Sequence, residues 1–237
     1  MKTKLFTLLV MAFVGLSLTQ SDSNDCATYY PLAKGMKWTY QEFNKKGKLD
    51  GTSTTFVEDV IYSDNKTEYK IKATSTDAKG KQDEDTLANK TFSYICENGT
   101  LKMDMSQMIP QETIDGMKGM EMSIEQTEMA IPSTLKVGQK LADASITMKV
   151  SSNGMAIMTI TVNITNRKVE KMESVTTDAG TYNAVLLTYK SSMKMGFMNS
   201  TTTSKDWLSP EVGLVKSETY DKNGKLMGSR VLSEFSK

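Results

Sequence analysis

Met158-Thr159-Ile160-Thr161-Val162-Asn163-Ile164-Thr165 alternates apolar and polar side chains without a break. On an extended chain, successive side chains point to opposite faces, so this stretch is a strand with one apolar face and one wet face. On a helix the same residues would scatter around the whole circumference and bury nothing. The period of two recurs on both sides. It is seen in Tyr69-Lys70-Ile71-Lys72-Ala73, Phe92-Ser93-Tyr94, Leu101-Lys102-Met103-Asp104-Met105 and Met120-Glu121-Met122-Ser123-Ile124-Glu125. It returns in Ile146-Thr147-Met148-Lys149-Val150, Val185-Leu186-Leu187-Thr188-Tyr189 and Met193-Lys194-Met195-Gly196-Phe197. Threonine fills much of the polar phase, where a β-branched side chain suits a pleated surface.

Turn chemistry separates these runs. Asn44-Lys45-Lys46-Gly47-Lys48, Asp77-Ala78-Lys79-Gly80-Lys81 and Asp221-Lys222-Asn223-Gly224-Lys225 read as tight hairpin turns, and Asn98-Gly99 and Asn153-Gly154 as two more. At most one short helix fits, within 106–119 after Pro110, because Gly116 and Gly119 stop it quickly. Residues 130–144, with Pro132 and Gly138, read as a crossover between a first strand group at 36–129 and a second at 145–236. The predicted fold is all-β: one large curved antiparallel sheet, a half-barrel or open barrel, forming a single domain over 20–237. Some ten strands (about the count of the alternating runs) present apolar faces, and no long amphipathic helix exists to cover them. The sheet must curl on itself, pack as two layers or enclose a cavity.

Lys2 and Lys4 precede an almost wholly apolar Leu5–Leu18, and polar Gln20–Asp25 follows. Residues 1–19 therefore read as a secretory signal peptide, which implies an exported protein in a periplasm or outside the cell. No later apolar run approaches the ~20 residues of a membrane helix. The 29 basic and 28 acidic residues leave a net charge of +1, so nothing steers the chain to nucleic acid. There is no histidine, which removes the usual general base and the commonest zinc ligand. In an exported chain the two cysteines, Cys26 and Cys96, read most simply as one disulfide, with free thiols or a lipidated Cys26 as the alternatives.

Three longer stretches resemble a known family. Tyr29-Tyr30-Pro31-Leu32-Ala33-Lys34-Gly35-Met36-Lys37-Trp38-Thr39-Tyr40 resembles its N-terminal motif. Val175-Thr176-Thr177-Asp178-Ala179-Gly180-Thr181-Tyr182 resembles its TPAGTF strand start, with Asp178 where proline is frequent, and Asn166-Arg167-Lys168-Val169-Glu170 also fits. Trp207-Leu208-Ser209-Pro210-Glu211-Val212-Gly213-Leu214-Val215-Lys216 resembles its W-x-x-P-x-V-G-x-V-K hairpin. The family is the TapB-type, domain-of-unknown-function 3108-like group of Gram-negative envelope proteins. The resemblance implies an exported antiparallel β-protein of half-barrel shape, with no assigned activity and no catalytic residue.

Methionine is the compositional oddity, with 18 in the chain. Met103, Met105, Met120, Met122, Met158, Met193 and Met195 share phase with Leu, Ile, Val and Phe and alternate with charged or polar residues, so they are expected on the inside of the sheet. Soft, unbranched side chains suit core filling, an adaptable apolar surface or, as thioethers, Cu(I). Asp83-Glu84-Asp85 reads as a solvated loop. Phosphate-binding glycine loops, nucleophile elbows and zinc-protease motifs are absent. The expectation is thus a non-catalytic envelope protein with no cofactor and no metal site, holding an apolar ligand inside a curled sheet, the seven methionines lining it. A structural or interaction module with a filled core is the alternative, and methionine-based Cu(I) binding a second. The partner is then an apolar small molecule or an envelope protein.

Overall fold

The computed structural model describes residues 26, 28–82, 90–109 and 114–237. The leader 1–19, the acidic run Asp83-Glu84-Asp85 and Pro110 lie outside the described residues. Thirteen strands follow in chain order: β1 (Lys37–Asn44), β2 (Leu49–Ser63), β3 (Lys66–Asp77), β4 (Thr91–Glu97), β5 (Thr100–Met103), β6 (Glu121–Thr127) and β7 (Met129–Pro132). The remainder are β8 (Ala144–Ser152), β9 (Met155–Thr177), β10 (Gly180–Met195), β11 (Met198–Ser209), β12 (Gly213–Asp221) and β13 (Leu226–Ser236). All belong to one antiparallel sheet in the order β6-β8-β9-β10-β11-β12-β13-β1-β2-β3-β4-β5-β7. The sheet is nearly closed into a barrel, with one unsealed seam between its edge strands β6 and β7. A 3₁₀ turn, Met105–Met108, precedes Pro110, whereas the short helix is expected after it, where residues 110–113 lie outside the described residues.

The turns form as their residues dictate. Asn44, Asp77 and Asp221 each accept backbone N–H bonds on Oδ1 from residues two and four ahead, at 2.8 to 3.4 Å. The glycines at the fourth position take φ of +70°, +80° and +78°. Asn98-Gly99 and Asn153-Gly154 have positive φ at both positions, which the twist of a two-residue hairpin requires. The 23-residue β9 and the 16-residue β10 exceed the usual strand length, and shifts of register at Leu186/Leu187 and Thr188/Lys190 bend the pair so that it curls.

One boundary moves. The strand at 121–127 lies in the first group by sequence, yet it pairs with β8 of the second. Its continuation β7 pairs with β5, so the chain changes edges at Glu128 and the seam falls there. Sequence proximity alone does not show this exchange of partners.

The motif stretches close the base. Trp38 donates Nε1–H to the carbonyl of Val212 at 2.5 Å, and Tyr40 donates its hydroxyl to the carbonyl of Leu214 at 3.0 Å. Gly213 has φ +92°, and a Cβ there would lie within 4 Å of Tyr29, Pro31 and Trp38. Trp207 donates Nε1–H to Glu173 at 2.8 Å, and Tyr182 donates to the carbonyl of Ala179 at 2.8 Å. Beside this base, Cys26 and Cys96 form a disulfide with Cα atoms 5.8 Å apart, packed on Leu101, Tyr30 and Tyr94.

Candidate binding site inside the curled sheet

Directly paired residues of antiparallel strands point to the same side, so the register fixes which residues share a face. Ile124 pairs with Met148, Met148 with Ile160, Ile160 with Met195 and Met195 with Met198. Met122 pairs with Val150 and Val150 with Met158, while Ile146 pairs with Val162 and Val162 with Met193. One apolar face therefore runs across β6, β8, β9, β10 and the start of β11. Met105 packs on its lower end against Ala144, Ile146 and Ile164, with Met129 arriving from the opposite edge strand. That cover identifies the face as the inner one.

Burial along this face is graded. Met105, Met148 and Val150 are each 1% exposed. Met122, Ile124 and Met193, on the same face, are 38%, 41% and 42% exposed. Met120, just before β6, is also exposed, and Met158 and Met195 are half-buried. Met103 lies away from this group on β5, paired with Tyr94 and Met129 and half-buried. The seven methionines thus do not form one buried lining. Register gathers Met122, Met158, Met193 and Met195, Met105 seals their base, and Met103 and Met120 stand apart. The reason is geometric: the cover supplied by the 3₁₀ turn ends after one turn, before the face does.

A second feature was not foreseen. Of 29 basic residues only two are arginines, Arg167 and Arg230. Glu42 pairs with Arg230, Arg230 with Ser217, Ser217 with Asp206 and Asp206 with Leu187, which makes one row across the inner wall. Arg230 donates Nε–H to Glu42 at 2.6 Å, and its guanidinium lies 5.4 Å from the centre of the Tyr40 ring. Ser53 donates to the same Glu42 oxygen at 2.6 Å, and Ser217 donates to Asp206 at 2.6 Å. Burial holds the Asp206 carboxyl above the ordinary range, against the lowering pull of Ser217, Tyr189 and Arg230. Burial likewise pushes the Tyr94 hydroxyl up to about 12 and raises Tyr30 and Tyr40 strongly. Arg167, 2% exposed, donates to the carbonyl of Ala142 at 2.7 Å.

Beneath Arg230 is a cavity of about 150 Å³ walled by Tyr30, Trp38, Tyr40, Phe92 and Tyr94. Above it, a cleft of about 500 Å³ continues past Ser53, Thr55, Ala73 and Arg230. Another cleft, about 550 Å³, includes Thr188, Lys190, Lys168 and Glu170, the polar phase of β9 and β10. Within it Lys168 pairs with Glu170 at 2.6 Å, and Thr188 donates to Glu170 at 3.1 Å. The sequence signal for the inner row was the scarcity of arginine, together with Arg230 falling in phase with Leu232.

A family model described as DUF3108-like matches residues 33–232. The chain belongs to the DUF3108-like family. Two solved structures share its fold. One is a protein from Bacteroides fragilis, assigned as exported and as having a YmcC-like fold, at 20% identity and a TM-score of 0.65, covering 89% of this chain and 99% of that one. The other is a protein from Parabacteroides distasonis assigned as a lipoprotein, at 23% identity and a TM-score of 0.67, covering 90% of this chain and all of that one (100%). No curated protein matches the chain. The DUF3108-like membership accords with the motif stretches that close the base, where Trp38, Gly213 and Trp207 make the contacts described above. No helix among the described residues is long and apolar enough to cross a membrane.

Proposed function

We propose that this DUF3108-like protein is a non-catalytic component of the cell envelope that holds an apolar ligand against the inner face of its curled sheet. The observation that supports this is the graded face itself. Met122, Ile124 and Met193 continue a packed apolar wall into solvent at 38–42% exposure, on the concave side, where a ligand rather than bulk water would cover them. Methionine suits such a surface, since its unbranched thioether repacks around differing shapes. The exported and lipoprotein assignments of the two structural relatives support an envelope location. Unlike a lipoprotein anchored through its cysteine, this chain commits Cys26 to the bond with Cys96, which leaves no free thiol there for acylation.

The test uses the neutral probe N-phenyl-1-naphthylamine, whose fluorescence rises in apolar surroundings. The wild-type protein should enhance it saturably. The double variant Met122→Lys/Met193→Lys alters two exposed positions, so it should fold normally and lose most of the enhancement. Equal enhancement by the two proteins would remove the methionine face from the account.

A further inference from the structure

We infer that the cavity beneath Arg230 is a second, distinct site, which takes a small aromatic carboxylate. Three observations converge on it. The first is size and wall chemistry. A space of about 150 Å³ is that of an engineered cavity known to accept one benzene ring. Here Trp38, Tyr40, Phe92 and Tyr94 wall it, offering edges and faces for a ring to stack on.

The second observation is the state of Arg230. Its Nε–H is held by Glu42 and its plane rests on Tyr40, so the guanidinium cannot swing freely. Among the described residues, neither Nη group has a hydrogen-bond partner. An arginine fixed at one edge and open at the other is the geometry that receives a carboxylate through two parallel bonds.

The third is an imbalance of hydrogen-bonding capacity. The Tyr40 hydroxyl is used by the carbonyl of Leu214. The hydroxyls of Tyr30 and Tyr94, which also line the cavity, have no hydrogen-bond partner among the described residues. Tyr94 lies close enough to Arg230 to feel its charge, and Tyr30 close enough to feel Tyr94. The lining therefore brings two phenols without protein acceptors beside a guanidinium whose side chain is 42% exposed and whose Nη groups have no protein acceptor either among the described residues. What completes such a set is an acceptor, and beside a guanidinium the favoured acceptor is an anion. The carboxylates already present do not fill that role: Glu42 is bound by Arg230 Nε and Ser53, and Asp206 by Ser217 and Tyr189.

The inference is independent of the methionine face. Its test is calorimetric titration of the folded protein with benzoate and, separately, with benzyl alcohol, which has the same ring and no charge. Benzoate should bind saturably at one site and benzyl alcohol at least about tenfold more weakly, the share of one charge-assisted hydrogen bond. Arg230→Gln should cost benzoate about tenfold or more while leaving N-phenyl-1-naphthylamine enhancement intact, which also reports a folded protein. Tyr94→Phe keeps the ring and removes one free donor, and should weaken benzoate several-fold even if the arginine variant misfolds. Absence of saturable benzoate binding, equal binding of the alcohol, or unchanged affinity in both variants would overturn the assignment. Loss of the naphthylamine signal in the methionine variant with benzoate binding retained would confirm two separate sites.

Discussion

Asp206 sits half-buried on the inner wall, accepting from Ser217, with its carboxyl held above the ordinary range chiefly by burial. A carboxyl raised in the folded state binds its proton more tightly there than in the unfolded chain, so folding is favoured as pH falls toward that range. Three half-buried, lysine-paired carboxylates act the other way. Glu97, Glu68 and Glu173 are held low by hydrogen bonds from Lys102, Lys70 and Lys171, and their contribution is lost on acidification. Comparing wild type with Asp206→Asn cancels these common terms. The wild type should gain stability relative to the variant between pH 7 and pH 5, read as the difference in urea midpoints. A wild type that loses ground to the variant over that interval would show that Asp206 is not a proton-holding group.

The elements were largely legible, because a period of two survives any tertiary context that keeps one face wet. The run Met158–Thr165, the three Asn/Asp turns and the two Asn-Gly turns all fold as their residues require. The partner exchange at Glu128 was not legible, since both β6 and β7 carry acceptable strand patterns and only three-dimensional closure decides which edge each joins. Nor was the extent of cover over the methionines, which depends on a one-turn 3₁₀ segment rather than on the strands themselves. The arginine row escaped because each of its members, Glu42, Arg230, Ser217 and Asp206, comes from a different strand and carries no local motif. Among the connections, the β11–β12 hairpin makes a clear backbone demand. Gly213 has φ +92° and lies beside the backbone of Tyr29 and the Trp38 indole. Gly213→Ala should destabilise the fold by about 1–3 kcal/mol, because a side chain is strained at that φ. An unchanged urea midpoint would contradict the role given to this hairpin in closing the base.

At the scale of the molecule, a single sheet of 13 strands must hold its first and last strands together and keep its seam from opening. Pairing of β1 with β13 supplies the first, and the disulfide ties the segment that plugs the base to β4. The two cysteines are 70 residues apart. Closing a loop of that length constrains the unfolded chain by about 4 kcal/mol, so dithiothreitol should lower the urea-derived stability by roughly that amount. A shift below about 1 kcal/mol would show that strand pairing alone holds the base. The open part of the inner face is, on the proposed function, built to be covered by a ligand. Native mass spectrometry of protein purified gently from its own envelope measures this most directly. The expected result is a noncovalent adduct of an apolar organic molecule, lost on denaturation and absent from Met122→Lys/Met193→Lys. The mass of the polypeptide alone, or an adduct of copper, would contradict it.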